Sequence, residues 1–461
     1  MPVSAVNPGN TTVMSDRQDT IAAIATPAGN GGIGIVRLSG NRSLEIARAI
    51  TQTEPLPRHA HTCTFHDRQG RTLDQGILIY FRGPASFTGE DIVEFQAHGG
   101  RVVLQMLLQE TLDRGARLAR PGEFSERAYL NDRIDLVQAE AIADLIESTS
   151  SHAARSAVRS LEGEFSENIQ RVVDQVVSLR VYVESALDFP EEEIDFLANP
   201  DLQVQLESVL ATLDSLIRRA ETGRRLHGGL RVVIAGEPNA GKSSLLNRLV
   251  RTNRSIVTPI AGTTRDTIED FMLIEGMPIT VIDTAGIHNT VDPVEQEGIR
   301  RSWAEIEKAD IVLLISDSDQ CDTPAQFREY INKGNRLLFI HNKIDNTGRL
   351  PSVETRNEVP HVYISALTGA GMDLLLQQLG KLAGLADIGE DVILARQRHI
   401  TALQQARESV DAGMSAFRTE GSAELLAEEL RKTQQYLGSI TGEFHNDDLL
   451  GEIFSRFCIG K

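Results

Sequence analysis

At 461 residues the chain has room for roughly three domains. Hydrophobic residues make up 41% and charged residues 24%, which permits ordinary packed cores and excludes wholesale disorder. Lys and Arg number 46 against 65 Asp and Glu, and a net charge of −19 excludes a general polyanion binder, so any nucleic acid must meet a local basic patch or a partner subunit. Residues 1–133 hold 14 Arg, no Lys and 14 acids, so the whole acidic excess belongs to residues 134–461. Cys63, Cys321 and Cys458 are scattered and odd in number, which argues against a disulfide framework and for a reducing compartment. No apolar run approaches the roughly 18 residues of a membrane span, and Met1–Thr12 lacks the order of a secretory signal. A cytoplasmic protein is expected. Met14 is a plausible alternative start, and residues 1–18 read as a flexible extension.

Residues 19–130 mix β-rich runs with turn signals. Ile21–Thr26 and Gly34–Leu38 read as strands, with Asn30-Gly31-Gly32 as a hairpin turn between them. Ile77–Phe81 and Ile92–Gln96 follow as strands, while Ser43–Ile50 and Arg101–Leu112 have helical spacing. The sum is a small α+β domain. From Asn131 the spacing turns helical: Ile134, Val137, Ala141, Leu145, then Ile169–Val177, then Leu202 to Ala220. At Gly228-Gly229 it changes again. Leu230–Ala235 is a buried strand, and Ile279–Ile282, Ile311–Ile315, Leu337–His341 and Val362–Ile364 follow between helices, predicting a parallel sheet with helices on both faces. Beyond Glu390 the helical spacing returns. The economical reading is a multidomain α/β plus all-α chain: a helical domain split into 131–226 and 391–461, with an α/β domain, 227–390, inserted in it.

Gly236-Glu237-Pro238-Asn239-Ala240-Gly241-Lys242-Ser243 fits G-x-x-x-x-G-K-[ST] and stands between a strand and a helix. Its glycines let backbone N–H groups converge on phosphates, placing Asn239, Ala240, Gly241, Lys242, Ser243 and Ser244 against a nucleotide. Lys242 reaches the β- and γ-phosphates and Ser243 ligates Mg²⁺. Three further elements follow in the required order. Asp283-Thr284-Ala285-Gly286 brings an Asp to Mg²⁺ through water and a Gly N–H to the γ-phosphate. Asn342-Lys343-Ile344-Asp345 supplies a carboxylate for guanine N1–H and N2–H₂, which adenine cannot satisfy. Ser365-Ala366-Leu367 supplies a backbone contact to the guanine O6. Together they make a Ras-like P-loop GTPase domain. Gly262-Thr263-Thr264-Arg265-Asp266 holds the switch threonine for Mg²⁺, without choosing between Thr263 and Thr264. Ile287 stands where Ras-like enzymes carry a water-orienting glutamine, so hydrolysis needs another device. A cation against the β–γ bridge, held in part by the Asn239 carbonyl, is one.

The whole chain resembles the tRNA modification GTPase family MnmE (TrmE). The likeness is carried by Asp19-Thr20-Ile21, Gly31 to Arg37, Gly89-Glu90-Asp91 with Glu94, and His98-Gly99-Gly100. It continues through Pro121 to Ala128 and Asn131 to Leu136, and ends in Phe457-Cys458-Ile459-Gly460-Lys461. The resemblance implies an N-terminal domain that mediates homodimerisation and binds a one-carbon donor, 5-formyl- or methylene-tetrahydrofolate. It implies facing G domains that pair in a K⁺-dependent way. With an FAD-containing partner, MnmG (GidA), in a heterotetramer, the family adds an aminomethyl or carboxymethylaminomethyl group to C5 of the wobble uridine of certain tRNAs.

By the same resemblance folate binding falls on Arg37, Glu94, Arg133 and Lys461, the third being a lysine in some relatives. A pterin offers the same N–H and NH₂ edge as guanine, which suits Glu94, while cations suit the glutamate tail. K⁺ ligation maps to Asn239 and to the loop with Thr258, Ile260 and Thr263, and Mg²⁺ to Ser243 and Thr264. Thr258, Thr263 and Thr264 then also line the GTP site. Water activation falls to Glu295, acting with Lys242 and Thr264, and Cys458 is a candidate nucleophile by its position beside Lys461. His59, His61, Cys63 and His66 mimic a metal cluster but read as a solvated strand face, and Glu191–Glu193 as a solvated helix start. The competing function is a GTPase switch in ribosome assembly, without modification chemistry. Such switches usually carry a basic RNA-binding appendage, and this C-terminal part is acidic and helical.

Overall fold

The computed structural model describes residues 19–148, 150–188, 200–237, 239–253, 269–274, 277–283, 300, 303–317, 336–383, 392–443, 447–455, 457 and 460. The expected N-terminal extension, the Glu191–Glu193 run and Cys321 lie outside them. The chain divides into two compact units, one running to Ala143 and taking in Gly438–Lys461, the other Asp144–Leu437.

In the first unit, alternating side chains form β1 (Ile21–Ile24), β2 (Gly31–Ser39), β3 (Ala60–His66), β4 (Thr72–Phe81), β5 (Ile92–Gly99) and the short β6 (Arg117–Leu118). They make one sheet in the order β3-β4-β5-β2-β1-β6, antiparallel except where β6 joins β1. Val36, Leu38, Phe65, Leu78, Val93 and Phe95 share one face. Helices Ser43–Thr51 and Arg101–Asp113 cover it with Ile46, Ile50, Leu104 and Leu107. The last helix, Asp447–Ser455, belongs to this unit too. Ile453, Phe454 and Phe457 pack with Leu136 and Ala139, and the Tyr129 hydroxyl donates to Gly442 O at 2.7 Å.

Two expectations change here. Asn30-Gly31-Gly32 is not a tight hairpin turn, because Gly31 already pairs with Gly99 of β5 while the β1–β2 register closes at Ile24 and Val36. A register shift between Gly31 and Gly34 absorbs the extra residues. Nor is the β3 face solvated: Phe65 is fully buried, Cys63 packs beside it, and burial pushes the Cys63 thiol up to about 11. Among the described residues no group of three or more His, Cys, Asp or Glu is placed to hold a metal ion.

The second unit has a helical part and a sheet. Glu164–Asp188 buries Ile169, Val172, Val176 and Leu179, and Pro200–Gly228 buries Leu206, Val209, Leu213 and Leu216. Gln397–Glu420, far along the chain, lies against the latter, with Arg407 to Asp214 at 2.8 Å and Arg418 to Glu207 at 2.7 Å. The sheet holds β7 (Leu230–Gly236), β8 (Glu269–Ile274), β9 (Met277–Asp283), β10 (Ile311–Ser316), β11 (Arg336–His341), β12 (Ser352–Arg356) and β13 (Val359–Tyr363). Its order is β12-β13-β11-β10-β7-β9-β8. The five inner strands are parallel, as expected, but β8 and β12 are antiparallel edges that periodicity did not reveal. One face carries Val232, Ile234 and Leu313 under helices Lys242–Asn253 and Met372–Ala383, and the other carries Val233, Val312 and Phe339 with Trp303 and Ile306. Among the described residues no helix is long and apolar enough to cross a membrane.

A charge cluster closes the first unit. Arg127, with its side chain 9% exposed, donates to Asp19 O at 2.9 Å, to Asp19 Oδ1 at 2.5 Å, to Glu90 Oε2 at 3.0 Å and to Glu123 Oε1 at 3.2 Å. Arg117 forks onto Glu123 at 2.8 and 2.5 Å and also reaches Asp19, while Ser39 Oγ donates to Glu90 at 2.7 Å. Burial works to raise the Glu123 carboxyl. Hydrogen bonds from Arg117 and the Arg120 N–H, with the charges of Arg117 and Arg127, outweigh it and hold the group down at about 2. Because the folded value is depressed from 4.5, the stabilisation is present in full above pH 4.5 and disappears as pH falls towards 2. Glu123→Gln should therefore lower unfolding stability at pH 7 by about 3 kcal/mol, since it leaves the buried Arg127 guanidinium and the half-buried Arg117 short of charge. Urea melts of the full chain should show that difference shrinking below pH 4.5. A constant difference down to pH 2 would rule out this account.

Candidate functional site

The carboxyl ends of β7, β9, β11 and β13 share one edge of the sheet, where open α/β folds place ligands. β7 ends at Gly236 and runs into the phosphate loop, and Lys242 opens the helix Lys242–Asn253. Asn239 adopts a left-handed backbone at φ 64° and is exposed. Lys242 Nζ donates to Gly236 O at 3.1 Å and Glu237 O at 2.8 Å, a position from which it covers the loop's mouth. Ser243 and Ser244 sit exposed in the helix's first turn, where the N–H groups and dipole of a helix N-terminus favour an anion.

One side chain ties this loop to the opposite rim. Asn342, 4% exposed, donates through Nδ2 to Ala240 O at 2.8 Å and accepts at Oδ1 from Ala366 N–H at 2.9 Å. Gly241 must be glycine: its φ is +100°, and a Cβ would stand 2.2 Å from Asn342 Nδ2. Lys343 is also left-handed, at φ 67°, and its Nζ pairs with Asp317 at 3.0 Å. Ile344 is buried while Asp345 is exposed on the rim, and Ser365 is buried with Leu367, 77% exposed, projecting beside it. Thus Asn342, Lys343, Asp345, Ser365, Ala366 and Leu367 are brought to one end of the phosphate loop.

Behind Asn342 stands a feature that sequence reasoning missed. His341 and His361 are buried on adjacent parallel strands, with Nε2 and Nδ1 2.9 Å apart. One ring must donate and the other accept, so the acceptor nitrogen carries no proton. His341 stacks on Tyr363 at 4.3 Å between centroids, and His361 on Phe339 at 4.8 Å. This aromatic ladder braces the strand ends that carry both loops. No motif marks it, because alternate His and aromatic residues in a strand read as ordinary core.

The first unit brings other expected residues together. Arg37 and Glu94 lie directly opposite in the β2–β5 register. Arg37 Nε donates to Glu94 Oε1 at 2.9 Å, and a second guanidinium nitrogen lies 2.8 Å from the same oxygen. Glu94 Oε2 has no partner among the described residues. Arg37 also reaches Gly460 O at 3.4 Å, and its guanidinium lies 5.8 Å over the Phe124 ring. Gly460 has φ +97°, and a Cβ there would stand 2.6 Å from Ile24 O, so the tail lies flush on β1 only as glycine. Arg133 is exposed beside Gly89 and shares no hydrogen bond or ion pair with Glu94 among the described residues. Thr258, Ile260, Thr263, Thr264, Thr284, Ala285, Gly286, Ile287, Glu295, Cys458 and Lys461 lie outside the described residues, and Asp283 is described only as the end of β9.

A phosphate loop bolted through one asparagine to the loop at Ala366, at the carboxyl edge of a parallel sheet, defines a P-loop GTPase. A family profile described as the MnmE helical domain matches residues 136–458, and one described as the GTP-binding protein TrmE N-terminus matches residues 20–133. Curated proteins called tRNA modification GTPase MnmE align over nearly the whole chain. The one from Chromohalobacter salexigens is 50% identical over 96% of this chain and 98% of its own. The one from Stutzerimonas stutzeri is 50% identical over 97% of this chain and 100% of its own, and that from Nitrosomonas europaea 51% over 96% and 99%. The chain belongs to the MnmE (TrmE) family of tRNA modification GTPases, and it is a GTP hydrolase.

Proposed function

We propose that the chain is a Mg²⁺-dependent, K⁺-stimulated GTPase that works as a cytoplasmic homodimer. With an FAD-containing MnmG partner it adds an aminomethyl or carboxymethylaminomethyl group to C5 of the wobble uridine of certain tRNAs. The carbon comes from 5-formyl- or methylene-tetrahydrofolate. The observation that carries the reading is the joining of Arg37, Glu94 and the tail glycine Gly460 on one sheet face. A carboxylate with one oxygen on arginine and the other without a partner among the described residues suits the N–H and NH₂ edge of a pterin. The tail backbone at Gly460 leads directly to Lys461, whose charge suits the glutamate tail of a folate.

In the second unit guanine would lie between Lys343 and Leu367, its N1–H and N2–H₂ on Asp345. The phosphates would meet the N–H groups of Asn239 to Ser244. Lys242 would exchange its loop carbonyls for the β- and γ-phosphates. Ser243 and Thr264 would hold Mg²⁺, which neutralises charge on those phosphates, and the exposed Asn239 carbonyl with Thr258, Ile260 and Thr263 would hold K⁺. Glu295 would take the place of the glutamine that Ile287 cannot replace.

Three measurements follow from this reading. Asp345→Asn should weaken GTP binding and favour xanthine nucleotides by about 2 kcal/mol, and an unchanged GTP affinity in direct titration would remove Asp345 from the base site. Replacing K⁺ with Na⁺ at constant ionic strength should slow turnover about 10²-fold, the scale of one lost transition-state charge, and Asn239→Ala should blunt the response. Equal rates in the two salts would refute a K⁺ role. Glu94→Ala in the full-length protein should abolish calorimetric binding of formyltetrahydrofolate while leaving GTP hydrolysis intact. Retained folate binding would move the donor site elsewhere.

A further inference from the structure

One arginine in the nucleotide unit belongs to no motif, yet it grips the base-reading loop. Arg248 lies on the helix Lys242–Asn253, beside the buried Leu245 and Leu249. Its Nε donates to Ala366 O at 3.1 Å, and a second guanidinium nitrogen donates to Leu367 O. The guanidinium carbon lies 3.5 Å from the place a Cβ on Gly369 would occupy, so the group lies close over that loop. From the other side Asn342 Oδ1 accepts the Ala366 N–H at 2.9 Å.

The loop's own donors are nearly all engaged. Thr368 N–H reaches Ser365 Oγ at 3.1 Å, Gly369 N–H reaches Ser365 O at 2.8 Å, and Ala370 N–H reaches Thr368 Oγ1 at 3.3 Å. The Leu367 N–H has no acceptor among the described residues. That N–H and the Ala366 carbonyl belong to the same peptide, which is planar and trans, so the two groups point in opposite directions. Whatever holds the carbonyl aims the N–H. A cationic donor on the carbonyl also polarises the amide and strengthens its N–H as a donor.

We propose that Arg248 is a positioning residue for guanine recognition: by holding Ala366 O it aims the Leu367 N–H at the 6-oxo group of the base. This rests on the guanine pocket proposed above. The test uses the full-length protein and competition against a fluorescent GDP. The competitors are GDP and 2-aminopurine riboside diphosphate, which has no 6-oxo oxygen. Arg248→Ala should weaken GDP about tenfold, the worth of one charge-assisted hydrogen bond, and change the 2-aminopurine nucleotide less than twofold. Arg248→Lys keeps one donor, so its loss should fall between wild type and Arg248→Ala. An alanine variant that weakens both nucleotides equally, or neither, would overturn the proposal. Should that variant fail to fold, a lysine variant with the wild-type ratio of the two affinities would overturn it as well. Asp345→Asn separates the two levels. If it leaves guanine selectivity unchanged, the pocket itself is wrong; if it shifts selectivity while Arg248→Ala does not, only the role of Arg248 fails.

Discussion

The nucleotide unit depends on the buried carboxamide of Asn342. A primary amide has donors on one side and an acceptor on the other, and burying either unpaired costs about 1–3 kcal/mol. Here Nδ2 is spent on the phosphate loop at Ala240 and Oδ1 on the loop at Ala366. The two rims of the site therefore cannot move independently without breaking a buried hydrogen bond. An aspartate at this place would face Ala240 O with a second oxygen and no donor, and a leucine would serve neither loop. The parallel strands make the bridge feasible, because β7, β11 and β13 all deliver their carboxyl ends to one edge. Behind the bridge, the His341–His361 pair and its aromatic neighbours hold that edge in register.

The first unit solves a different problem by different means. Its second sheet face has a small apolar cluster, Ile21, Ala23, Ala119 and Phe124, against the large one under the two helices. Charge takes over there. Asp19, Glu90 and Glu123 surround Arg117 and Arg127, so three segments distant in sequence meet around two guanidiniums. Such a cluster is weak as a source of net stability but intolerant of losing one partner. It also sets the geometry beside it. Glu123 opens the helix whose Phe124 lies under Arg37, so the ion pairs that place this helix also place the wall of the Arg37–Glu94 site.

Much of this was legible in the residues, for stated reasons. Long helices declare themselves by their 3.6-residue period, and the parallel strands Leu230–Gly236, Ile311–Ser316 and Arg336–His341 by short continuous apolar runs. The edge strands β8 and β12 did not, because an edge strand is half solvated and Ser352–Arg356 alternates charge with small residues. Glycines misled at Gly31-Gly32, which signal a turn but serve a register shift between β2 and β5. His61 and Cys63 misled in another way: a two-residue period says that they share a face, not which face is the core. The GTPase class was legible because its loops carry fixed residue types at fixed spacing. The arginines that steady them were not, since Arg248 meets a carbonyl 118 residues away and nothing local records it.

Pairing within the fold limits what so acidic a chain can offer a tRNA phosphate. Of the arginines described in residues 19–133, Arg37, Arg42, Arg48, Arg71, Arg114, Arg117, Arg120 and Arg127 are already paired with carboxylates. Some arginines also tie distant backbone, paired or not: Arg37 to Gly460, Arg159 to Val392 and Arg248 to Ala366. The guanidinium suits this work, with five donors in a rigid fork and weak hydration. But an arginine held by a carboxylate offers little to a phosphate, because the favourable release of counterions needs a cation that is not already neutralised. The Lys-free, Arg-rich composition of the N-terminal region is thus better explained by internal closure than by a nucleic-acid surface. Charge balance in a segment counts residues, whereas affinity for a polyanion counts only those whose pairing the folded chain has left undone.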